Sequence, residues 1–129
     1  LLLSKSTADI PSRIINIGSI NGINVPGLET YAYSSSKAAL HQLTRHLAGK
    51  LGDRHILVNA IAPGSFQSKM MKATLEQFGD SIIAGVPVGR IGSPEDIAGT
   101  CIYLSSRAGQ YTTGAIIAVD GGSLVSAKM

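Results

Sequence analysis

Three short runs constrain the fold most tightly: Arg13-Ile14-Ile15-Asn16-Ile17-Gly18, His55-Ile56-Leu57-Val58-Asn59-Ala60-Ile61-Ala62 and Ala115-Ile116-Ile117-Ala118-Val119. They are apolar and β-branched along most of their length, not merely at alternate positions. Strands buried on both faces, as in a parallel sheet, have this character. Helical segments separate the runs, so the chain reads as α/β, with right-handed crossovers covering a parallel sheet on both faces. Ligands of such sheets bind beyond the carboxyl ends of the strands. The loops after Gly18 and after Ala62 therefore matter most.

A long helix is predicted from about Tyr31 to Leu51, with Leu40, Leu43, Leu47 and Leu51 as its apolar stripe. Gly52-Asp53 ends it. Residues 65–93 are irregular, apart from a short helix with Met71, Leu75 and Phe78 on one face. Ser93-Pro94-Glu95-Asp96 opens a further helix, running to about Ser105: Ser93 suits the N-cap, Pro94 the first helical position, and Asp96 the positive end of the helix. Asp120-Gly121-Gly122 reads as a turn.

Composition removes several classes of function. With 44% hydrophobic and 15% charged residues, the chain is core-forming rather than disordered. Its single cysteine, Cys101, falls in an apolar helix and suits packing in a reducing compartment. The basic residues are scattered without interleaved aromatics, which argues against nucleic acid as a partner. No apolar run approaches the ~20 residues of a membrane span. Leu1-Leu2-Leu3 is too short for a signal-peptide core. His41, His46 and His55 lack metal-ligand spacing and acid partners, so no metal is expected and packing or surface roles are favoured. Gly18-Ser19-Ile20-Asn21-Gly22 is not the nucleophile elbow of a serine hydrolase.

The chemistry concentrates in Tyr31-Ala32-Tyr33-Ser34-Ser35-Ser36-Lys37-Ala38-Ala39. Three consecutive serines are mediocre helix formers, so helix propensity did not select them. Tyr33 and Lys37, at i and i+4, share a helical face. The ammonium favours the phenolate form of the tyrosine, readying it for proton exchange. The small residues between and after them let a flat ligand and a neighbouring helix approach. Tyr31 competes with Tyr33, but at six residues from Lys37 it points to a different face. Ser19, just past the first strand, can donate to a substrate oxygen. The three groups suit hydride reduction of a ketone, in which a carbonyl is polarised and protonated.

Taken in order, Ile17-Gly18-Ser19, Tyr33-Ser34-Ser35-Ser36-Lys37-Ala38-Ala39, Val58-Asn59-Ala60-Ile61-Ala62-Pro63-Gly64, Gly92-Ser93-Pro94-Glu95-Asp96-Ile97-Ala98 and Asp120-Gly121-Gly122 resemble the short-chain dehydrogenase/reductase family over almost the whole chain. Within it, Tyr31 to Leu43 looks most like 3-oxoacyl-[acyl-carrier-protein] reductases, including those of the rhamnolipid type. The resemblance implies the C-terminal part of a Rossmann-like, doubly wound parallel sheet, with three strands and flanking helices.

The resemblance also assigns roles. Tyr33 would be the general acid. Lys37 would bind the nicotinamide ribose hydroxyls, and Ser19 would hold the substrate carbonyl. Pro63 and Gly64 would pass beside the nicotinamide, with Phe66 offering backbone groups to its carboxamide. Ser68, where the family often has threonine, would bring a hydroxyl to the cofactor. The cofactor would be NADP, with NAD as the alternative. The segment from Ser65 to Ser93 would form the substrate lid, with Met70 and Met71 lining it or filling its core.

The family's Gly-rich turn after its first strand is not found here, nor are its Asn-Ala-Gly stretch and relay asparagine. Gly18, Gly22 and Gly27 are wrongly spaced for that turn. Residues 1–129 are therefore expected to be the C-terminal catalytic portion of one domain, inactive alone, with the nucleotide-binding half absent. The substrate would be a 3-oxoacyl thioester, or alternatively a polyol or other small alcohol. A truncated, non-catalytic piece retaining core and subunit-contact surfaces is the reading from a different class. Association into a homodimer or tetramer through the long helix is expected, with Leu40 and Leu47 partly in the interface. The expected location is cytoplasmic. The final Ala127-Lys128-Met129, a variant of the Ser-Lys-Leu address, suggests a peroxisomal alternative.

Overall fold

A computed structural model describes residues 5–69 and 71–126. The expectations for Leu1-Leu2-Leu3, Met70 and Ala127-Lys128-Met129 lie outside the described residues. The elements run β1 (Ser12–Ile17), α1 (Tyr31–Leu51), β2 (Ile56–Pro63), α2 (Lys72–Ala84), α3 (Pro94–Ser105) and β3 (Ile116–Val119). Among the described residues the strands form one three-stranded sheet, ordered β1-β2-β3 and parallel throughout. Ile17 pairs with Ile61, and Pro63 with Val119. All three carboxyl ends therefore share one edge of the sheet.

The strand limits differ from the expected ones by a residue at several ends. Gly18 lies just past β1, although its N–H still reaches Ile61 O at 2.7 Å. His55 precedes β2 in a left-handed conformation, φ 56°. Pro63 extends β2 by one residue, since its carbonyl side and side chain still suit the end of the ladder. Ala115 is outside β3.

Central β2 carries the core: Ile56, Val58, Ala60, Ile61 and Ala62 are buried. Ala48 of α1 packs on Ile56 and Val58, with Ile14, Leu47 and Leu51 at the margin. The expected stripe of α1 is corrected at Leu43, while Leu40, Leu47 and Leu51 are half-buried. The buried positions are His41, Thr44 and Ala48, while Leu43 is 49% exposed. Small and polar residues face the sheet because the helix lies close to it. Thr44 Oγ1 accepts from Asn16 Nδ2 at 2.9 Å and donates to Leu40 O at 2.8 Å, so the polar contact is satisfied.

The helix expected to be short, with Met71, Leu75 and Phe78 on one face, is the 13-residue α2; Met71 precedes it and Phe78 stays exposed. α3 starts as expected, with Ser93 at the N-cap and Pro94 first. The cap bond runs from Ser93 N–H to Asp96 Oδ2 at 2.7 Å. Arg90 grips the same carboxylate through two nitrogens, at 2.7 and 3.0 Å. That pair and cap hold the Asp96 carboxyl well below the usual carboxylate range, the Arg90 bonds contributing most. Among the described residues no helix is long and apolar enough to cross a membrane.

Candidate active site

α1 opens at Tyr31 after Thr30, and two of its serines bond to nearby groups of the same stretch. Ser36 Oγ donates to Tyr33 O at 2.7 Å, and Ser34 Oγ lies 3.3 Å from Thr30 Oγ1. Exposed Ser35, Ala38 and Ala39 leave this end of the helix uncluttered. Tyr33 and Lys37, both half-buried, stand on one face, with Lys37 Nζ 5.5 Å from the centre of the Tyr33 ring. Nζ also donates to Ile17 O at 2.9 Å. The cation thereby bridges the helix to the carboxyl end of β1.

Ser19 is 7% exposed and begins a short 3-10 turn, Ile20–Gly22. Its Oγ accepts from Asn21 N–H at 3.2 Å. Among the described residues that hydroxyl donates no hydrogen bond, so its proton is available. The turn lies directly on α1: a Cβ on Gly22 would stand 2.7 Å from the Lys37 carbonyl carbon and 2.8 Å from Ala38 N. Tyr33 and Lys37 thus stand together beside the carboxyl end of β1, and the turn that Ser19 begins packs on the same stretch of α1.

The other expected site residues are arranged differently. Gly64 N–H donates to Val119 O at 2.9 Å, and a Cβ there would stand 2.8 Å from Asp120 Cα. Close approach of the β2 and β3 ends therefore accounts for this glycine. Half-buried Pro63 is the last residue of β2. Asp120-Gly121-Gly122 is a turn, closed by Asp120 carboxylate bonds to the N–H groups of Gly122 and Leu124 at 2.9 and 2.8 Å. Phe66 bridges to Gly92, and its ring occupies the space a Cβ on Gly92 would need. Ser68 is exposed, and its Oγ accepts from Met71 N–H at 3.2 Å, ahead of α2. Neither Tyr33 nor Lys37 lines the cavity of about 230 Å³ bordered by Phe66, Val86, Arg90, Val119 and Asp120.

His41, for which a packing or surface role was expected, is packed. It follows Lys37 by four, so Tyr33, Lys37 and His41 lie along one face. That spacing was the available signal. His41 is 3% exposed and sits against the Ser19 turn.

A family model described as enoyl-(acyl carrier protein) reductase matches residues 3–123. The chain belongs to the short-chain dehydrogenase/reductase family. It is 48% identical over 124 residues to a rhamnolipids biosynthesis 3-oxoacyl-[acyl-carrier-protein] reductase of Pseudomonas aeruginosa, covering 95% of this chain and 48% of that one. It is 43% identical to a galactitol 2-dehydrogenase (L-tagatose-forming) of Cereibacter sphaeroides, covering 87% and 45%. Among solved structures, the Pseudomonas aeruginosa RhlG/NADP active-site complex superposes with TM-score 0.88 at 47% identity, covering 95% of this chain and 50% of that one. The chain thus spans about half the length of these short-chain dehydrogenase/reductase relatives. These likenesses also show the sheet to be of the Rossmann type.

Proposed function

We propose that this chain is the catalytic portion of an NADP-dependent carbonyl reductase whose substrate is a 3-oxoacyl thioester. The observation that carries this reading is the placement of the Lys37 cation 5.5 Å from the Tyr33 ring, at the strand end that bears Ser19. The Ser19 hydroxyl donates to the carbonyl oxygen. Tyr33 gives that oxygen its proton as negative charge develops there. The Lys37 ammonium stabilises the resulting phenolate.

The donor set fits a nicotinamide ribose. Of three ammonium N–H groups on Lys37, one goes to Ile17 O and two remain for a diol. The cofactor, bound in its reduced form NADPH, would supply the hydride and leave as NADP⁺. The family resemblance would put Pro63, Gly64, Phe66 and Ser68 beside it, with the Phe66 backbone as carboxamide partner. NAD is the alternative cofactor.

The printed activities of relatives support the substrate class: 3-oxoacyl-[acyl-carrier-protein] and acetoacetyl-CoA reductases are among them. The galactitol dehydrogenase supports a polyol as the second choice. The half-length match supports reading residues 1–129 as the C-terminal portion of one domain, with activity resting on a nucleotide-binding portion. The second reading is a non-catalytic piece that keeps core and subunit contacts. Association of copies would use α1, whose Leu43 is open to solvent. The cytoplasm is the proposed location. A fluorescent protein ending in Ala-Lys-Met tests the peroxisomal address, which a purely cytosolic signal in a eukaryotic cell eliminates.

The test is turnover by the natural full-length polypeptide with NADPH and an acetoacetyl thioester, against NADP⁺ with galactitol. Faster turnover of the thioester supports the proposal. Turnover of galactitol alone moves the substrate to polyols, and turnover of neither favours the non-catalytic reading.

A further inference from the structure

We propose that His41 is a positioning residue for Ser19: its ring, seated between Gly18 and Gly22, holds the turn that presents the Ser19 hydroxyl, and protonation of the ring shifts that turn. The proposal rests on the reading of Ser19 as the group that holds the substrate carbonyl.

Gly18 and Gly22 bracket the turn, and one ring touches both. A Cβ on Gly18 would stand 2.1 Å from His41 Nε2, and one on Gly22 would stand 2.9 Å from His41 Cε1. The imidazole fills the space that side chains at the two positions would need. It sets how closely the turn approaches α1, and therefore where Ser19 sits relative to Lys37 and Tyr33.

Packing alone does not account for a histidine here. The ring is 3% exposed, and Nε2 is buried without a hydrogen-bond partner among the described residues. A buried polar atom with no partner costs stability, which an apolar side chain of similar volume would avoid.

The charged groups facing the ring are Lys37 and Arg45, both cations on its own helix. The turn and β2 contain no charged residue, and the one charge of β1, Arg13, is bonded to Leu104 O and Ser106 O at the end of α3. Burial first, then Arg45, holds the imidazole below the ordinary histidine value of 6.5, while the Gly22 backbone pulls the other way. The ring is thus neutral at neutral pH. A proton added to it has no carboxylate counter-charge, and the group that favours it is the Gly22 backbone of the turn itself, so protonation acts first on that turn.

The test is an acid titration of the natural full-length protein by NMR, following the His41 ring and the amides of Gly18, Ser19 and Gly22. The expected result is that these amides shift together with the ring, at a midpoint below 6.5. His41→Gln keeps a neutral polar group and removes the titration, so the amide transition should vanish. The acid fall of kcat should vanish with it, whatever the absolute rate, while KM follows its wild-type course. A ring that titrates while the three amides stay still would overturn the proposal. So would an unchanged acid transition in His41→Gln. The wild-type titration decides the matter even if that variant fails to fold. Full turnover in Ser19→Ala would refute the functional reading separately, leaving the amide coupling to be judged on its own.

Discussion

Lys37 Nζ donates to the carbonyl oxygen of Ile17 at 2.9 Å, joining the second turn of α1 to the last residue of β1. The same ammonium stands over Tyr33. One cation therefore orders the strand end and the proposed acid together. Removing it should do more than remove a charge.

In the natural full-length polypeptide, Tyr33→Phe should lower kcat by about 10²–10⁴-fold, the ordinary contribution of a positioned proton donor, and leave cofactor affinity nearly intact. Lys37→Ala should lower kcat and also raise the KM for NADPH. Steady-state kinetics with both substrates varied separates the two. Tyr33→Phe within a few-fold of wild type would end the assignment.

Gly22→Ala should destabilise the fold by about 1–3 kcal/mol, because the new Cβ meets the helix backbone at Lys37 and Ala38. Gly27→Ala, where a Cβ meets nothing within 4 Å, is the control. Urea unfolding of both variants provides the comparison.

Asn59 is 2% exposed; its Nδ2 donates to Thr112 O at 2.8 Å and its Oδ1 accepts from Ala115 N–H at 3.0 Å. Asn59→Leu strands both backbone groups, at about 1–3 kcal/mol for each buried group left unpaired. Thermal unfolding should show a large fall in Tm.

The Asp96 carboxylate, gripped by Arg90 and the Ser93 N–H, has a folded-state value below its ordinary 3.8. The unfolded chain binds the proton first on acidification. The stability from this carboxylate is thus fully present above about 3.8 and is lost as pH falls toward the lower folded value. Asp96→Asn should remove that part of the acid dependence, and denaturant midpoints taken between pH 6 and pH 2 should show a shallower slope.

Much of the fold was legible because its strands are continuous apolar runs and its turns carry Gly, Pro and Asp. The limits of α1 were readable for the same reason: Gly52-Asp53 follows its last turn. The buried face of α1 was not. Leucines suggested it, and Leu47 and Leu51 do flank the core, but the fully buried positions are His41, Thr44 and Ala48, the first because Gly18 and Gly22 leave room for its ring. Tyr33 and Lys37 could be paired from spacing alone, since i and i+4 lie together on any helix. The packing of Phe66 on Gly92 could not, because it joins segments whose separation no local pattern encodes.

Arg13 donates to Leu104 O and Ser106 O across 91 and 93 positions of sequence. These acceptors lie at the end of α3, so during synthesis β1 waits for most of the chain before its brace exists. The closure it completes carries the entropy of a long loop, and parallel pairing of β1 with β2 is itself non-local. Until residues 104–106 have emerged, the apolar β1 lacks this brace and rests on its pairing with β2, and that interval is when a chaperone would most readily engage it.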